Sequence, residues 1–174
     1  MSSACQHAKA GHEHLSGAAL DSALDTAAAR CSARGERMTP PRRRVLELLL
    51  AAGEPVKAYD LIAAYGRDGE AAKPPTVYRA LDFLERQGLA HRIASISAYV
   101  ACQGGEAAHA AAFLICDCCG ATEEVAAGPL FDLDALARCS GYEIAHTTVE
   151  GHGLCAACRT AAPAPALAPG AGRA

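Results

Sequence analysis

Five of the nine cysteines in this 174-residue chain fall in two short segments. The segment FLICDCCG contains Cys116, Cys118 and Cys119, and the segment HGLCAAC contains Cys155 and Cys158. Each segment therefore holds one pair of cysteines that are separated by two residues. Two such pairs supply four thiolates, which is the donor set of a closed tetrahedral zinc site. We predict a structural zinc site formed by Cys116, Cys119, Cys155 and Cys158.

The spacer between the two pairs is longer than in a zinc ribbon. It has 35 residues between Cys119 and Cys155, against about 15–20 in a ribbon. A spacer of this length can contain a helix and a strand, so the metal would join the two ends of a small domain. A redox pair is the alternative, but such a pair normally opens a helix in a βαβ unit, and this sequence context is different. Cys118 is the additional thiol, which we expect to lie near the site without binding the metal; redox or alternative-ligand chemistry is the alternative.

The composition narrows the class of protein. No apolar run approaches the roughly 18 residues of a membrane helix, and the N-terminal residues lack the apolar segment of a secretory signal. We therefore expect a cytoplasmic protein, in which clustered cysteines more often bind metal than form disulfides. The sequence contains no Gly-rich phosphate loop, no nucleophile elbow and no His-Glu-x-x-His motif. We expect neither an enzyme with a small-molecule substrate nor a membrane partner.

A second group of candidate ligands is spread over residues 91–124. It comprises His91, Cys102, His109 and the adjacent Glu123 and Glu124. One sulfur, two imidazoles and a carboxylate fit zinc better than they fit Mg²⁺ or Ca²⁺, which prefer oxygen, or Cu⁺, which prefers sulfur. Each residue alone is a weak signal, because a single histidine on a strand is more often structural than a ligand.

Helices and strands in the first part of the chain must position two of these candidate ligands, His91 and Cys102. Helical periodicity predicts a helix over residues 15–34, and Pro40 and Gly53 fit the start and stop of a second helix. A short helix over residues 57–65 follows, and KPPTVYRALDFLERQGLAHR predicts a longer helix with an apolar stripe. RIASISAYVAC then predicts two short strands around a turn at Ser95–Ser97. Helices followed by a hairpin are typical of a winged helix-turn-helix.

The second half of the chain predicts a small sheet with one helix. AAFLIC has the pattern of a strand, PLFDLDALARCSG that of a helix, and YEIAHTTVEG alternates as a strand does. The predicted fold class is α+β, with an N-terminal winged helix-turn-helix domain and a small α/β domain that carries the four-cysteine site. The predicted boundaries are a disordered arm over 1–14, the first domain over 15–103, the second domain over 106–160 and a disordered tail over 161–174.

Charge is distributed unevenly between the two halves. Residues 30–92 contain 12 Lys and Arg against 8 Asp and Glu, a net charge of +4. Residues 93–174 contain 3 against 8, a net charge of −5. A basic module followed by an acidic one suggests different partners for the two halves, although a mixed solvated surface is the simpler interpretation.

Longer motifs resemble a known family. AYDLIAAYGRDGEAAKPPTVYRALDFLERQGLAHRI resembles the DNA-binding domain of the ferric uptake regulator family, and FLICDCCG and HGLCAAC resemble its dimerisation domain. The likeness covers roughly residues 30–160. KPPTVYRALDFL together with HGLCAAC is similar to the zinc uptake regulator branch. Iron-sensing members carry a His-rich stretch before the first cysteine pair, whereas here that position reads HAAAFLIC and retains only His109.

The resemblance implies two zinc ions per chain in a homodimeric protein. It assigns the structural zinc to the four cysteines already named. It assigns a regulatory zinc to His91, Cys102, His109 and Glu124, with Glu123 as the alternative carboxylate. His146 and His152 match no regulatory ligand, and we interpret them as strand residues or as neighbours of a site.

The implied function is a zinc-responsive DNA-binding transcriptional repressor that controls zinc uptake and homeostasis genes, with Zn²⁺ as corepressor. Its DNA partner would be an AT-rich palindromic operator. Metal held across a hinge at Gly104–Gly105 would set the spacing of two recognition helices. A sensor of another metal or of peroxide, and a zinc-buffering or redox protein, are the alternatives.

The candidate DNA contacts lie in the basic half of the chain. Thr76, Tyr78 and Arg79 open the predicted recognition helix, whose N-terminal residues meet base edges in such domains. Tyr59 resembles a family position that contacts DNA. Arg42, Arg43 and Arg44 are candidates for neutralising phosphates, and a solvated helix face is the alternative for these three arginines.

Overall fold

A computed structural model of the chain describes residues 14–66, 73–102, 111–126, 133–144 and 147–161. Within these ranges the chain forms six helices and six strands. In chain order they are α1 (Gly17–Ala33), α2 (Pro40–Ala52), β1 (Val56–Lys57), α3 (Ala58–Tyr65), α4 (Pro74–Arg86), β2 (Ala90–Ile93), β3 (Ala98–Ala101), β4 (Ala111–Cys116), β5 (Thr122–Ala126), α5 (Leu133–Ser140), β6 (Thr148–Gly153) and α6 (Ala156–Ala161).

The predicted helices of the first half are confirmed, and local chemistry explains their ends. Both α2 and α4 begin at a proline, whose missing N–H costs nothing in the first turn of a helix. Helix α2 ends at Gly53, which has a φ of 59°, a left-handed conformation that glycine adopts without steric strain. The apolar face of α4 is fully buried at Val77, Leu81 and Leu84.

The helices share one hydrophobic core with the first sheet. Buried side chains from α1, α2, α3 and α4 pack together, including Leu24, Leu49, Leu61 and Phe83. The sheet has the strand order β1-β3-β2, and both pairings are antiparallel. Strand β1 has only two residues and was not predicted, because so short a segment carries no periodicity. The winged helix-turn-helix order is confirmed.

The hairpin formed by β2, its turn and β3, residues 90–101, is called the wing below. Ala90 pairs with Ala101 at one end of the wing, and Ile93 pairs with Ala98 at the other. The turn between the strands includes Ser97, whose φ is 51°. The predicted hairpin around Ser95–Ser97 is therefore confirmed.

The second sheet has the strand order β5-β4-β6, in which β4 pairs antiparallel with β5 and parallel with β6. The predicted strand AAFLIC is β4, and the predicted helix in PLFDLDALARCSG includes α5. Strand β6 includes the last four residues of the segment YEIAHTTVEG and continues to Gly153. Strand β5 and helix α6 were not predicted. The α+β class is confirmed.

The wing packs directly against the second sheet. Ile93 and Val100 of the wing form a buried cluster with Phe113 and Ile115 of β4. Each of these four side chains is at most 5% exposed. The two modules therefore share an apolar contact that fixes the wing against β4.

Several predicted features fall outside the described residues. They are the Gly104–Gly105 hinge, the loop at 67–72, most of the arm over 1–14 and nearly all of the tail over 161–174. Among the residues that are described, none of the helices has the length and apolarity needed to cross a membrane.

Candidate metal centres and nucleic-acid interface

The four paired cysteines meet at one end of the second sheet. Cys116 ends β4, Cys119 lies in the following turn, Cys155 precedes α6 and Cys158 lies within it. One potential ligand atom from each of the four lies within 4.8 Å of the other three. The Sγ atoms of Cys119 and Cys155 are 3.8 Å apart. Four sulfurs at about 2.3 Å from a zinc ion would be separated by about 3.8 Å, so this cluster fits a tetrahedral zinc.

Backbone geometry brings the two cysteine pairs together. The parallel pairing of β4 with β6 ends where Cys116 lies opposite Gly153. The N–H of Asp117 then donates to the carbonyl of Gly153 at 2.8 Å. The chain after β6 therefore passes beside the turn after β4, and the 35-residue spacer returns Cys155 to Cys116.

Hydrogen bonds prepare one thiol of the cluster for ionisation. Burial alone would raise the pKa of Cys116, but backbone N–H groups of Cys155, Cys119 and Cys118 lower it to about 6. Burial and the neighbouring thiols raise the pKa of Cys158. Four adjacent thiols cannot all ionise without a cation, because like charges repel in a buried site. A bound metal ion would supply that cation, and its binding would release protons.

Cys118 lies beside the cluster. Cys118 is exposed, and its thiol is one of the neighbours that raise the pKa of Cys158. It does not belong to the group of four whose ligand atoms converge. The structure thus places it as a neighbour of the candidate zinc site.

Three of the second group of candidate ligands also converge. His91 lies on β2, Cys102 directly follows β3, and Glu124 lies on β5. One ligand atom from each is within 4.8 Å of the others. His91 Nε2 and Glu124 Oε1 are 3.7 Å apart, and their side chains are 12% and 8% exposed. The fourth candidate, His109, lies outside the described residues.

This donor set joins the two modules of the chain. His91 lies in the wing and Cys102 directly follows it, whereas Glu124 belongs to the second sheet. An imidazole, a thiol and a carboxylate at these separations fit zinc, which accepts nitrogen, sulfur and oxygen ligands. An ion held by these side chains would therefore connect the wing to β5.

Strand geometry separates the two adjacent glutamates. Glu124 pairs with Phe113 and Glu123 pairs with Leu114, and successive residues of a strand point to opposite faces. Phe113 is buried and packs against His91, with their ring centroids 5.8 Å apart, so Glu124 lies on the face that carries His91. Glu123 is exposed and lies outside the converging group.

The start of α4 presents polar and aromatic side chains to solvent. Arg79 is exposed, Tyr78 is 47% exposed and Thr76 is half-buried, whereas Val77 between them is fully buried. Tyr59, in the first turn of α3, is 78% exposed. Four predicted DNA contacts therefore remain accessible at the surface of the basic module.

The three consecutive arginines of α2 have partners inside the chain. Arg42 lies over the Phe83 ring, 3.4 Å from its centroid. Arg43 pairs with Asp25 of α1 at 2.9 Å. Arg44 pairs with Glu47 at 3.0 Å and donates to the carbonyls of Tyr65 and Ala64. Their contacts to phosphate stay a prediction. Apart from Glu47, which lies three residues after Arg44 on the same helix, these internal partners have no local signal in the sequence.

A further polar group was not found by sequence reasoning. Glu150 of β6 accepts hydrogen bonds from backbone N–H groups of the wing turn. His152, two residues later, has Nδ1 3.1 Å from Asp117 Oδ1. These partners lie more than 30 residues apart in the sequence, so no local pattern could indicate them. His146 lies outside the described residues.

Comparisons with known proteins agree with this architecture. The sequence profile of the Ferric uptake regulator family matches residues 33–152. The Zinc uptake regulation protein of Escherichia coli K12 is 43% identical over 130 residues, which are 74% of this chain and 76% of that protein. Both measures indicate the same family.

Solved structures show the same relationship. A zinc uptake regulator complexed with zinc and DNA is 39% identical and superposes with a TM-score of 0.73, covering 83% of this chain and 98% of that chain. Holo XcZur is 43% identical with a TM-score of 0.69, covering 80% and 99%. With its winged helix-turn-helix, its four-cysteine cluster and these similarities, the chain belongs to the ferric uptake regulator family, in the branch that contains the zinc uptake regulators.

Proposed function

We propose that this chain is a zinc-responsive DNA-binding transcriptional repressor that controls zinc uptake and homeostasis genes, with Zn²⁺ as corepressor. The observation that carries the proposal is the convergence of His91, Cys102 and Glu124 from both modules within 4.8 Å. The similarity to a zinc uptake regulator complexed with zinc and DNA supports it. This proposed function includes no catalytic step. A repressor that binds operator DNA would act in the cytoplasm.

Two zinc ions per chain belong to the proposal. Cys116, Cys119, Cys155 and Cys158 would hold the structural ion, which contributes to folding of the second module. His91, Cys102, Glu124 and His109 would hold the regulatory ion. A structural site is closed by four thiolates, whereas the mixed donor set of the second site suits an ion that exchanges with the cell.

The chain's own geometry gives the switch its mechanism. Two recognition helices of a homodimer must lie about 34–36 Å apart to enter successive major grooves. The wing adjoins α4 in the chain, and the second module would carry the dimer contact. Fastening His91 and Cys102 to Glu124 would therefore fix α4 relative to the dimer axis. Ligand binding that favours one arrangement shifts the population toward it, and DNA affinity would rise without any contact between metal and DNA.

On the DNA side, Thr76, Tyr78 and Arg79 would face base edges of an AT-rich palindromic operator, with Tyr59 beside them. Arg79 is suited to a bidentate contact with guanine. Phosphate binding by the three arginines of α2, Arg42, Arg43 and Arg44, would require each side chain to leave its partner inside the chain and contact a DNA phosphate instead.

The adjacent glutamates provide a matched test. We expect Glu124→Gln to raise the free zinc concentration needed for DNA binding at least tenfold, because a neutral amide is a poor zinc ligand. Glu123→Gln should leave this concentration unchanged. Gel shifts in buffered zinc measure the free zinc concentration that each variant needs for DNA binding. The duplex is an AT-rich dyad that the wild-type protein selects from a random pool in the presence of zinc.

Three outcomes would contradict the proposal. Equal DNA affinity of the wild-type protein with and without available zinc would remove the sensor function. Release of zinc on mild oxidation, in a protein that binds no duplex, would favour a zinc-buffering or redox protein instead. A stronger DNA response to Fe²⁺ or Mn²⁺ than to Zn²⁺ would identify a sensor of another metal.

A further inference from the structure

The tip of the wing is held by a carboxylate from the second sheet. Glu150 of β6 accepts a hydrogen bond from the Ala94 N–H at 2.7 Å and another from the Ser95 N–H at 3.2 Å. The side chain of Glu150 is only 16% exposed. These contacts, called the Glu150 clamp below, join two segments that belong to different modules.

The surroundings of Glu150 keep it ionised. Burial by itself raises its pKa, but hydrogen bonds from the Ser95 side chain and from the Ala94 and Ser95 backbone, together with nearby His152, lower it below the usual value. Hydrogen bonds to a charged acceptor are stronger than those between neutral groups. The clamp is therefore a substantial contact.

The clamp and the candidate regulatory site lie at opposite ends of the same strand. His91, near the start of β2, meets Glu124 of β5. Ala94, directly after β2, meets Glu150 of β6. Between them, Ile93 packs in the buried cluster that includes Phe113. The wing is thus fastened to the second sheet at two points, and only the first requires a metal ion.

A polar chain supports Glu150 from the four-cysteine cluster. The Nε2 of His152 is 3.8 Å from Glu150 Oε2, and its Nδ1 is 3.1 Å from Asp117 Oδ1. Asp117 directly follows Cys116 and is tied to Gly153 through its backbone. Glu150 is therefore linked through His152 and Asp117 to a part of the molecule that the structural zinc would keep rigid.

We propose that Glu150 is a positioning residue whose clamp stabilises the closed arrangement, in which wing and second sheet are joined, and thereby sets the free zinc concentration at which the regulatory site fills. The hydrogen bonds require this relative position of the modules, so a different orientation loses them. A contact made only in the closed arrangement raises the population of that arrangement before metal binds. Less zinc is then needed to complete the shift. This inference rests on the proposed zinc switch.

The direct test measures zinc affinity and needs no DNA. Full-length protein that retains its tightly bound zinc is titrated with Zn²⁺ in competition with a chromophoric chelator, which reports the second, weaker site. We expect Glu150→Ala to weaken this second site about tenfold, equivalent to about 1.4 kcal/mol at 25 °C. Glu150→Gln, which retains an acceptor oxygen, should show a smaller change. Glu123→Ala removes an exposed carboxylate from the same sheet and should have no effect.

A second readout separates positioning from general damage. For a positioning residue, DNA affinity of Glu150→Ala falls at intermediate free zinc but returns to the wild-type value at saturating zinc, because mass action restores the closed population. A variant with a damaged fold would bind DNA poorly at every zinc concentration. The duplex is the AT-rich dyad selected by the wild-type protein.

A variant on the other side of the contact guards against misfolding of Glu150→Ala. Ser95→Ala removes only a hydroxyl from an exposed turn residue, and it should weaken the second zinc site by about twofold. In the Glu150→Ala background the same change should have no further effect, because contacting residues are not additive.

An unchanged second-site affinity in both Glu150→Ala and Ser95→Ala would overturn the inference, even if zinc still controls DNA binding. A DNA loss that saturating zinc does not restore would also overturn it. Failure of the wild-type protein to respond to zinc at all would instead refute the proposed function.

Discussion

Cys116 is the residue on which the second module depends most directly. It is buried at 3% exposure, ends β4 and accepts a hydrogen bond from the Cys155 N–H at 3.3 Å. Its thiolate would be both a zinc ligand and a link between the two cysteine pairs. A structural zinc site contributes on the order of 10 kcal/mol of apparent binding free energy to folding.

We therefore expect Cys116→Ser to lose the tightly bound zinc and to unfold the second module, with dissociation of any dimer. Metal analysis, circular dichroism and size-exclusion chromatography measure these three effects. Cys118→Ser is the matched control. Cys118 is exposed and lies outside the group of four converging cysteines, so its replacement should leave the zinc content unchanged. A folded Cys116→Ser protein with full zinc content would contradict the assignment.

Arg79 carries the most specific prediction on the DNA side. It is exposed near the start of α4, and a bidentate contact to guanine contributes about 1–3 kcal/mol of discrimination. Arg79→Ala should weaken specific binding by about that amount, while Arg86→Ala, near the far end of α4, should change it little. Competition gel shifts with specific and random duplexes measure the difference. An equal loss on both duplexes would identify a phosphate contact.

Spacing in the sequence predicted the four cysteines of the first cluster, whereas the family resemblance supplied His91, Cys102 and Glu124 of the second. The structure does not describe His109, the fourth residue of that set. The resemblance selected Glu124 with Glu123 as the alternative, whereas spacing alone could not separate them, because that choice depends on which face of β5 points toward His91. Sequence reasoning also missed the partners of Arg42–Arg44 and the contacts of Glu150. Except for the Arg44–Glu47 pair, three residues apart on α2, those contacts depend on tertiary packing, which has no local signature.

At the scale of elements, the predictions succeeded where one local cause dominates. Proline starts and glycine stops delimit α2, and a strong apolar stripe indicates α4. Strand β5 was not predicted, because TEEVA is short and its two adjacent glutamates interrupt the alternation of apolar and polar residues that indicates a strand. The parallel pairing of β6 with β4 could not be predicted, since which strands become neighbours depends on long-range packing of the whole sheet.

Phe113 is the side chain through which strand β4 contacts the wing. It is fully buried in the cluster with Ile93 and Val100, and its ring packs on His91. Phe113→Ala should lower the free energy of unfolding by about 3–5 kcal/mol, as for other buried aromatics, and should weaken the second zinc site. Urea unfolding and zinc competition measure both effects.

Phe113→Leu provides the control for this prediction, because leucine keeps apolar volume but removes the ring beside His91. We expect a much smaller loss of stability than for alanine. If alanine and leucine weakened the second zinc site without any change in unfolding, packing of the wing would not be the cause.

At the scale of the whole molecule, the proposal predicts two different separations of the recognition helices. Labels attached through a non-canonical amino acid at position 82, which is exposed on α4, report the distance between protomers. We expect a narrow distribution with both zinc ions bound, suited to recognition helices about 34–36 Å apart. Removal of only the weaker zinc should broaden or shift it. Identical distributions in both states would refute the switch.

The internal partners of Arg42, Arg43 and Arg44 have a consequence for how the protein finds DNA. Three of the positive charges in the basic module are already neutralised or occupied within the fold. For each phosphate contact that these arginines do not make, about one fewer condensed cation is released when the protein binds DNA. The plot of log affinity against log salt concentration is then shallower by about one unit of slope per missing contact. Under the proposed function, such a surface would hold random duplex weakly, which would leave more of the protein available to its own operators when zinc binds.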